Sequence, residues 1–84
     1  MSREEVLQMI RAHLADELEQ LDPEQVQESA HFKDDLEADS LDLYTLVVEL
    51  EEQYGVAMTD EQADKILTVG QAVDFVLAHA PERS

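Results

Sequence analysis

The chain has no cysteine and no tryptophan, two glycines, two prolines, and five basic residues against twenty-one acidic ones. Without cysteine there is no disulfide, no thiol nucleophile and no thiolate metal site, a composition that suits a reducing compartment. Two Phe and two Tyr are the only aromatics, so the core has to be aliphatic. A formal charge of −16 repels nucleic acid and anionic lipid and attracts basic protein surfaces. No apolar run approaches membrane-spanning length, and residues 1–10, with Arg3, Glu4 and Glu5, hold no signal-peptide core. Nucleic-acid partners and membrane insertion are therefore not expected, and a cytoplasmic location is.

Eighty-four residues make one domain, close to the lower limit at which a core sustains itself. High net charge with modest hydrophobicity can also signal disorder. Here 44% of the residues are apolar, and they recur at helical spacing. A monomeric all-α fold is expected, a small four-helix bundle with a short third helix and a long loop between helices I and II.

Ser2-x-x-Glu5 reads as a capping box opening helix I, with Val6, Ile10, Leu14 and Leu18 as its buried stripe and Leu7 and Leu21 beside it. Arg3, Arg11 and His13 lie off that stripe. Asp22-Pro23 is expected to end the helix, because a residue before proline disfavours the α region. The connection over 22–38 contains one helical turn near Pro23, and Val26, Phe32 and Leu36 anchor it in the core. A loop this long in so small a domain usually has a job.

Helix II is expected over Ser40–Tyr54, closed by Gly55. At about 100° per residue, Leu43, Leu46, Val47, Leu50 and Tyr54 fall on the core side. Leu41 and Val48 fall nearly opposite, among Asp42, Thr45, Glu49 and Glu52, with Tyr44 on a flank. Two exposed apolar groups ringed by acids suit a partner with a basic rim and a greasy centre. Val56 and Met58 cross back over the core. Thr59-x-x-Gln62 opens a short helix III to about Ile66, and Thr68-x-x-Gln71 opens helix IV over 69–80. Val69, Ala72, Val73 and Val76 form the apolar face of helix IV. Pro81 closes the fold, and residues 82–84 fray.

The stretch that organises the chain is Asp35-Leu36-Glu37-Ala38-Asp39-Ser40-Leu41-Asp42, a serine among acids at the start of helix II. Asp39 and Ser40 are both N-cap residue types, and a helix N-terminus presents unpaired N–H groups and partial positive charge. Ser40 is expected to stand exposed at a rigid boundary, where a phosphate attached nearby is well placed. The plainer alternative is a serine that only caps the helix.

This stretch resembles the acyl carrier protein family. Phe32, Asp35-Leu36, Ala38-Asp39-Ser40-Leu41-Asp42, Leu46, Leu50-Glu51-Glu52, Tyr54, Asp60-Glu61, Ala63, Ile66, Thr68-Val69-Gly70 and Ala72 all stand where that family has them. The match runs without a gap over 32–77. The resemblance implies that Ser40, between Asp39 and Leu41, receives 4′-phosphopantetheine from coenzyme A through a phosphopantetheinyl transferase. The arm ends in a thiol, so a chain without cysteine can hold acyl groups as thioesters. The resemblance further implies a non-catalytic shuttle, whose synthase partners reach Asp35, Glu37, Asp39, Asp42, Tyr44, Val48, Glu49 and Glu52 through basic patches. Rim charges of that kind mainly raise association rates and weaken with salt.

Other chemistry fits poorly. A serine hydrolase needs a glycine-flanked nucleophile, a positioned histidine and an oxyanion hole, and the residues around Ser40 supply none of them. Setting Asp35, Glu37 and Asp39 on the first ligands of an EF-hand puts Ser40 where glycine is required and Leu46 where the bidentate glutamate belongs. No Cys/His pattern suggests zinc, and no glycine-rich loop suggests a nucleotide site.

Three positions depart from the family pattern. Glu37 stands where the family usually has glycine, so the loop is expected to manage without a left-handed residue there. Thr45 replaces a common acid, and Glu49 adds one further along. Leu43 is bulkier than the residue often found there, in the region that lines the acyl cavity of relatives, so it is expected to narrow that cavity. A discrete carrier for fatty acid synthesis is the leading reading. A carrier for polyketide or another acyl or aminoacyl pathway is the close alternative. A different class, an acidic helical interaction protein with a vestigial serine, would share the fold but never accept the arm.

Overall fold

Capping sets where each helix begins in the structure, a computed structural model that describes residues 2–80. Helix α1 is Arg3–Glu17, α2 Ser40–Tyr54, α3 Asp60–Asp64 and α4 Val69–His79, and a 3-10 turn covers Pro23–Gln25. The Ser2 hydroxyl accepts the Glu5 N–H at 3.2 Å, one half of the box expected there. The other three helices carry complete reciprocal boxes, Asp39 with Asp42, Thr59 with Gln62 and Thr68 with Gln71. Each box satisfies two otherwise orphaned backbone donors. Gly55 ends α2 in the left-handed conformation, with φ 66°.

Two helices are shorter than the sequence predicts. Helix α1 stops at Glu17, well before Asp22. Asp16 and Glu17 set negative charge on the negative end of the helix, and its last turn holds no basic residue to offset them. Leu18 is already extended, with its N–H still bonded to the Leu14 carbonyl at 2.8 Å. Leu18 and Leu21 nevertheless pack on the core. Helix α3 ends at Asp64, and Lys65 and Ile66 continue as turns bonded back to Gln62 and Ala63. Helix α4 agrees with its expected span to within one residue, whereas the expectations for Pro81 and 82–84 lie outside the described residues.

Helix α1 packs against α2 and α4. Val6, Ile10 and Leu14 meet Leu46 and Leu50 of α2 and Val69, Ala72, Val73 and Val76 of α4 in one core. The long loop contributes Val26, Ala30, Phe32, Leu36 and Ala38, so it is a wall of the core. All the buried side chains among the described residues are apolar. The loop is stitched to the entry of α4: Phe32 N–H donates to Leu67 O at 3.0 Å, Val69 N–H to Ala30 O at 3.0 Å, and Gly70 N–H to Glu28 O at 2.8 Å. Arg3 adds ion pairs to Glu28 and to Asp74, the latter at 2.5 Å. Arg11 donates to the Val26 carbonyl at 2.8 Å. The radius of gyration, 11.8 Å, is that of a folded chain, for which about 12 Å is expected at this length.

Candidate functional site

Ser40 is the first residue of α2 and is exposed. Asp39, one residue earlier, does the capping: its Oδ1 accepts the Asp42 N–H at 3.0 Å. Asp42 Oδ2 returns the favour by accepting the Asp39 N–H at 3.1 Å. These two carboxylates take the role that a capping serine would have, and they leave the Ser40 hydroxyl without a hydrogen bond among the described residues. The capping alternative for Ser40 therefore falls to its neighbour. Its hydroxyl sits free at the positive end of a helix, which suits covalent attachment of an anionic group.

The approach to Ser40 is rigid for a loop. Asp35 and Leu36 N–H groups both donate to the His31 carbonyl, at 2.9 and 3.2 Å, and Ala38 N–H donates to the Phe32 carbonyl at 2.8 Å. The Asp35 carboxylate accepts the His31 N–H at 2.7 Å and lies 3.4 Å from His31 Nδ1. The backbone donor first, and the imidazole second, hold the Asp35 carboxyl below the ordinary carboxylate range.

Glu37 corrects an expectation. The loop does use a left-handed residue there, and Glu37 adopts it with φ 56°. Leu36 and Ala38 on either side are both buried, and Glu37 between them is exposed. A side chain in that region costs about 1–2 kcal/mol. Glu37→Gly is expected to raise the unfolding free energy by about 0.5–1 kcal/mol, the relieved strain less the extra freedom glycine has when unfolded. Urea titration measures this, and an unchanged or lower midpoint contradicts it.

The outer face of α2 differs in one respect from the reading of its period. Leu41 is 68% exposed and Tyr44 63% exposed, so these two form its apolar centre. Val48, expected beside Leu41 in the open, is half-buried and lines a groove instead. Glu52 is exposed, and Glu49 accepts from Gln53 Nε2 at 3.2 Å. Leu67, 56% exposed, is a further surface apolar residue that the sequence did not single out. It lies in the short link between α3 and α4, where no period assigns a face.

The groove measures about 380 Å³, and Ser40, Leu43, Tyr44, Val47, Met58 and Ala63 are among the residues that line it. It exists because α3 is a helix of only five residues and leaves one side of α2 uncovered. That also explains why Leu43 and Val47, expected in the core, are only half-buried. Leu43 stands on the groove wall close to Ser40 in sequence, so its bulk takes up space there. A smaller recess of about 140 Å³ adjoins it and shares Phe32, Lys33, Leu43, Ile66 and Leu67 with it.

None of the histidines is hydrogen-bonded to Ser40 among the described residues. His31 pairs with Asp35, and the His79 ring nitrogen contacts the Phe75 carbonyl at 2.9 Å. In the same residues no helix is long and apolar enough to cross a membrane. The arrangement suits a serine that is modified by another molecule, with an apolar trough beside it.

Comparison with known proteins agrees with that geometry. Residues 8–76 match the family model described as the phosphopantetheine attachment site. The acyl carrier protein of Rubrobacter xylanophilus is 52% identical over 79 residues, covering 94% of this chain and 96% of the relative. That of Thermosynechococcus vestitus is 45% identical over 76 residues, covering 90% and 93%. A solved structure of the acyl carrier protein from Enterococcus faecalis superposes with a TM-score of 0.79 at 40% identity, covering 95% of this chain and all of the other.

Proposed function

Since the chain belongs to the acyl carrier protein family, whose members bear a covalent phosphopantetheine group, we propose that Ser40 is its attachment residue and that the protein serves fatty acid synthesis. The observation that carries the assignment is the free, exposed Ser40 hydroxyl beside a helix cap already made by Asp39 and Asp42. The residues fit the group: helix-end charge would favour the phosphodiester on Ser40, and the same serine lines an apolar groove. When bound, the group supplies a terminal thiol, which this chain has nowhere else. The chain itself is a non-catalytic substrate, first of a phosphopantetheinyl transferase and then of synthase enzymes.

Partner enzymes are read as docking on α2, with Leu41 and Tyr44 at the centre and Asp35, Glu37, Asp42, Glu49 and Glu52 around them. Asp39 and Asp42 already spend lone pairs on capping and keep the remainder for a partner's Arg or Lys. We place the protein in the cytoplasm as a monomeric single domain, in line with its composition.

The test offers the phosphopantetheine-loaded protein, charged with malonyl, to purified fatty acid elongation enzymes and to polyketide condensing enzymes. Chain extension by the former, slowed several-fold as salt screens the acidic rim, is the expected result. Extension by the polyketide enzymes alone overturns the pathway assignment.

A further inference from the structure

Attachment at Ser40 puts a phosphodiester anion into a strongly acidic neighbourhood. Asp39 and Asp42 flank the serine, and Asp35 and Glu37 precede it, on a chain of net charge −16. An added negative charge there is repelled by these carboxylates and is favoured by any nearby cation. The described residues hold few free cations. Arg3 is committed to Glu28 and Asp74, and Arg11 to the Val26 carbonyl. Lys65 follows α3 and does not line the groove.

Lys33 is different. It lines the same groove as Ser40, and also the adjoining recess with Leu43 and Leu67. It is exposed, and although Asp34 and Asp35 follow it directly, it forms no ion pair among the described residues. Asp35 is turned away to His31. So an exposed cation without an ion pair among the described residues lines the same trough as the attachment serine. Beside it the exposed Leu67 offers apolar surface that the fold leaves uncovered.

We propose that Lys33 is a positioning residue for the arm: its ammonium pairs with the phosphodiester on Ser40 and turns the arm over the Leu67 side of the groove. The inference rests on the assignment of Ser40 above. The pair is solvent-exposed, so it is weak and screened by salt. A weak tether suits a carrier, because a partner's basic patch can take over the phosphodiester and release the arm. Lys33 does no chemistry and contributes nothing to the core.

The experiment compares the wild type with Lys33→Gln, which keeps length without charge, and Lys33→Arg, which keeps charge. Each protein is loaded from coenzyme A by a promiscuous phosphopantetheinyl transferase and checked by intact mass. Phosphorus-31 NMR then reads the phosphodiester, and proton NOEs read contacts between the arm's geminal methyls and Leu67. The expected result is a phosphorus shift that moves in Lys33→Gln and is retained in Lys33→Arg, with the Leu67 NOEs lost in the first and kept in the second. Unloaded Lys33→Gln is expected to unfold at the wild-type urea midpoint, which separates positioning from a structural role. Identical phosphorus shifts and NOEs in loaded wild type and Lys33→Gln overturn the role of Lys33 while leaving Ser40 intact. Failure of the wild type to load overturns both.

Discussion

Phe32→Ala is expected to lower the unfolding free energy by about 3–5 kcal/mol, a large share of what a domain of this size has. Phe32 is 1% exposed and heads the fully buried side chains by volume. Its backbone is committed as well, donating to Leu67 O at 3.0 Å and accepting from Ala38 N–H at 2.8 Å. The cavity left by alanine would open between the long loop, α2 and the entry of α4. Small domains have stabilities of only about 5–15 kcal/mol to begin with, and self-repulsion among so many carboxylates lowers the margin here. Urea titration followed by far-ultraviolet circular dichroism gives the number. A variant that stays folded with a loss below about 1 kcal/mol would show that the loop is draped over the core and is not part of it.

Gly70→Ala is the second large effect, and its sign is the informative part. In a helix interior alanine ordinarily gains about 1 kcal/mol over glycine, and Gly70, the second residue of α4, would gain at most that. At Gly70 an added Cβ would sit 2.9 Å from the Glu28 carbonyl oxygen, a backbone atom that cannot swing aside. That oxygen also accepts the Gly70 N–H at 2.8 Å, and the Glu28 side chain is held by Arg3. Relieving the clash means moving the loop off α4. The net expectation is a loss of about 1–2 kcal/mol, the overpacking cost exceeding the propensity gain. Thermal or urea unfolding decides between this and the stabilisation that helix propensity alone would give.

Much of this was readable in the residues because the signals were local. The Asp39–Asp42, Thr59–Gln62 and Thr68–Gln71 boxes place three helix starts by chemistry confined to four residues each. Gly55 marks an end in the same way, and Ser40 gains its meaning from the cap beside it. What escaped the sequence depends on distant partners or on small energy differences. The close approach at Gly70 involves Glu28, far along the chain, and no periodicity reports it. The early end of α1 reflects a balance between a proline signal at Pro23 and unfavourable charge at Asp16 and Glu17. Glu37 takes a left-handed conformation that a glutamate disfavours, so its residue type gives no signal of it. Leu43 and Val47 line a groove and are only half-buried because α3, at five residues, is shorter than its expected span and leaves that side of α2 uncovered.

The most direct test is the intact mass of the protein after incubation with coenzyme A, magnesium and a promiscuous phosphopantetheinyl transferase, beside a Ser40→Ala control. Ser40 is exposed and its hydroxyl makes no hydrogen bond among the described residues, so the control is expected to remain folded. A gain of one phosphopantetheine group in the wild type and none in Ser40→Ala is the predicted result. No gain in folded wild type with an active transferase, or a gain in Ser40→Ala, would contradict the assignment of Ser40.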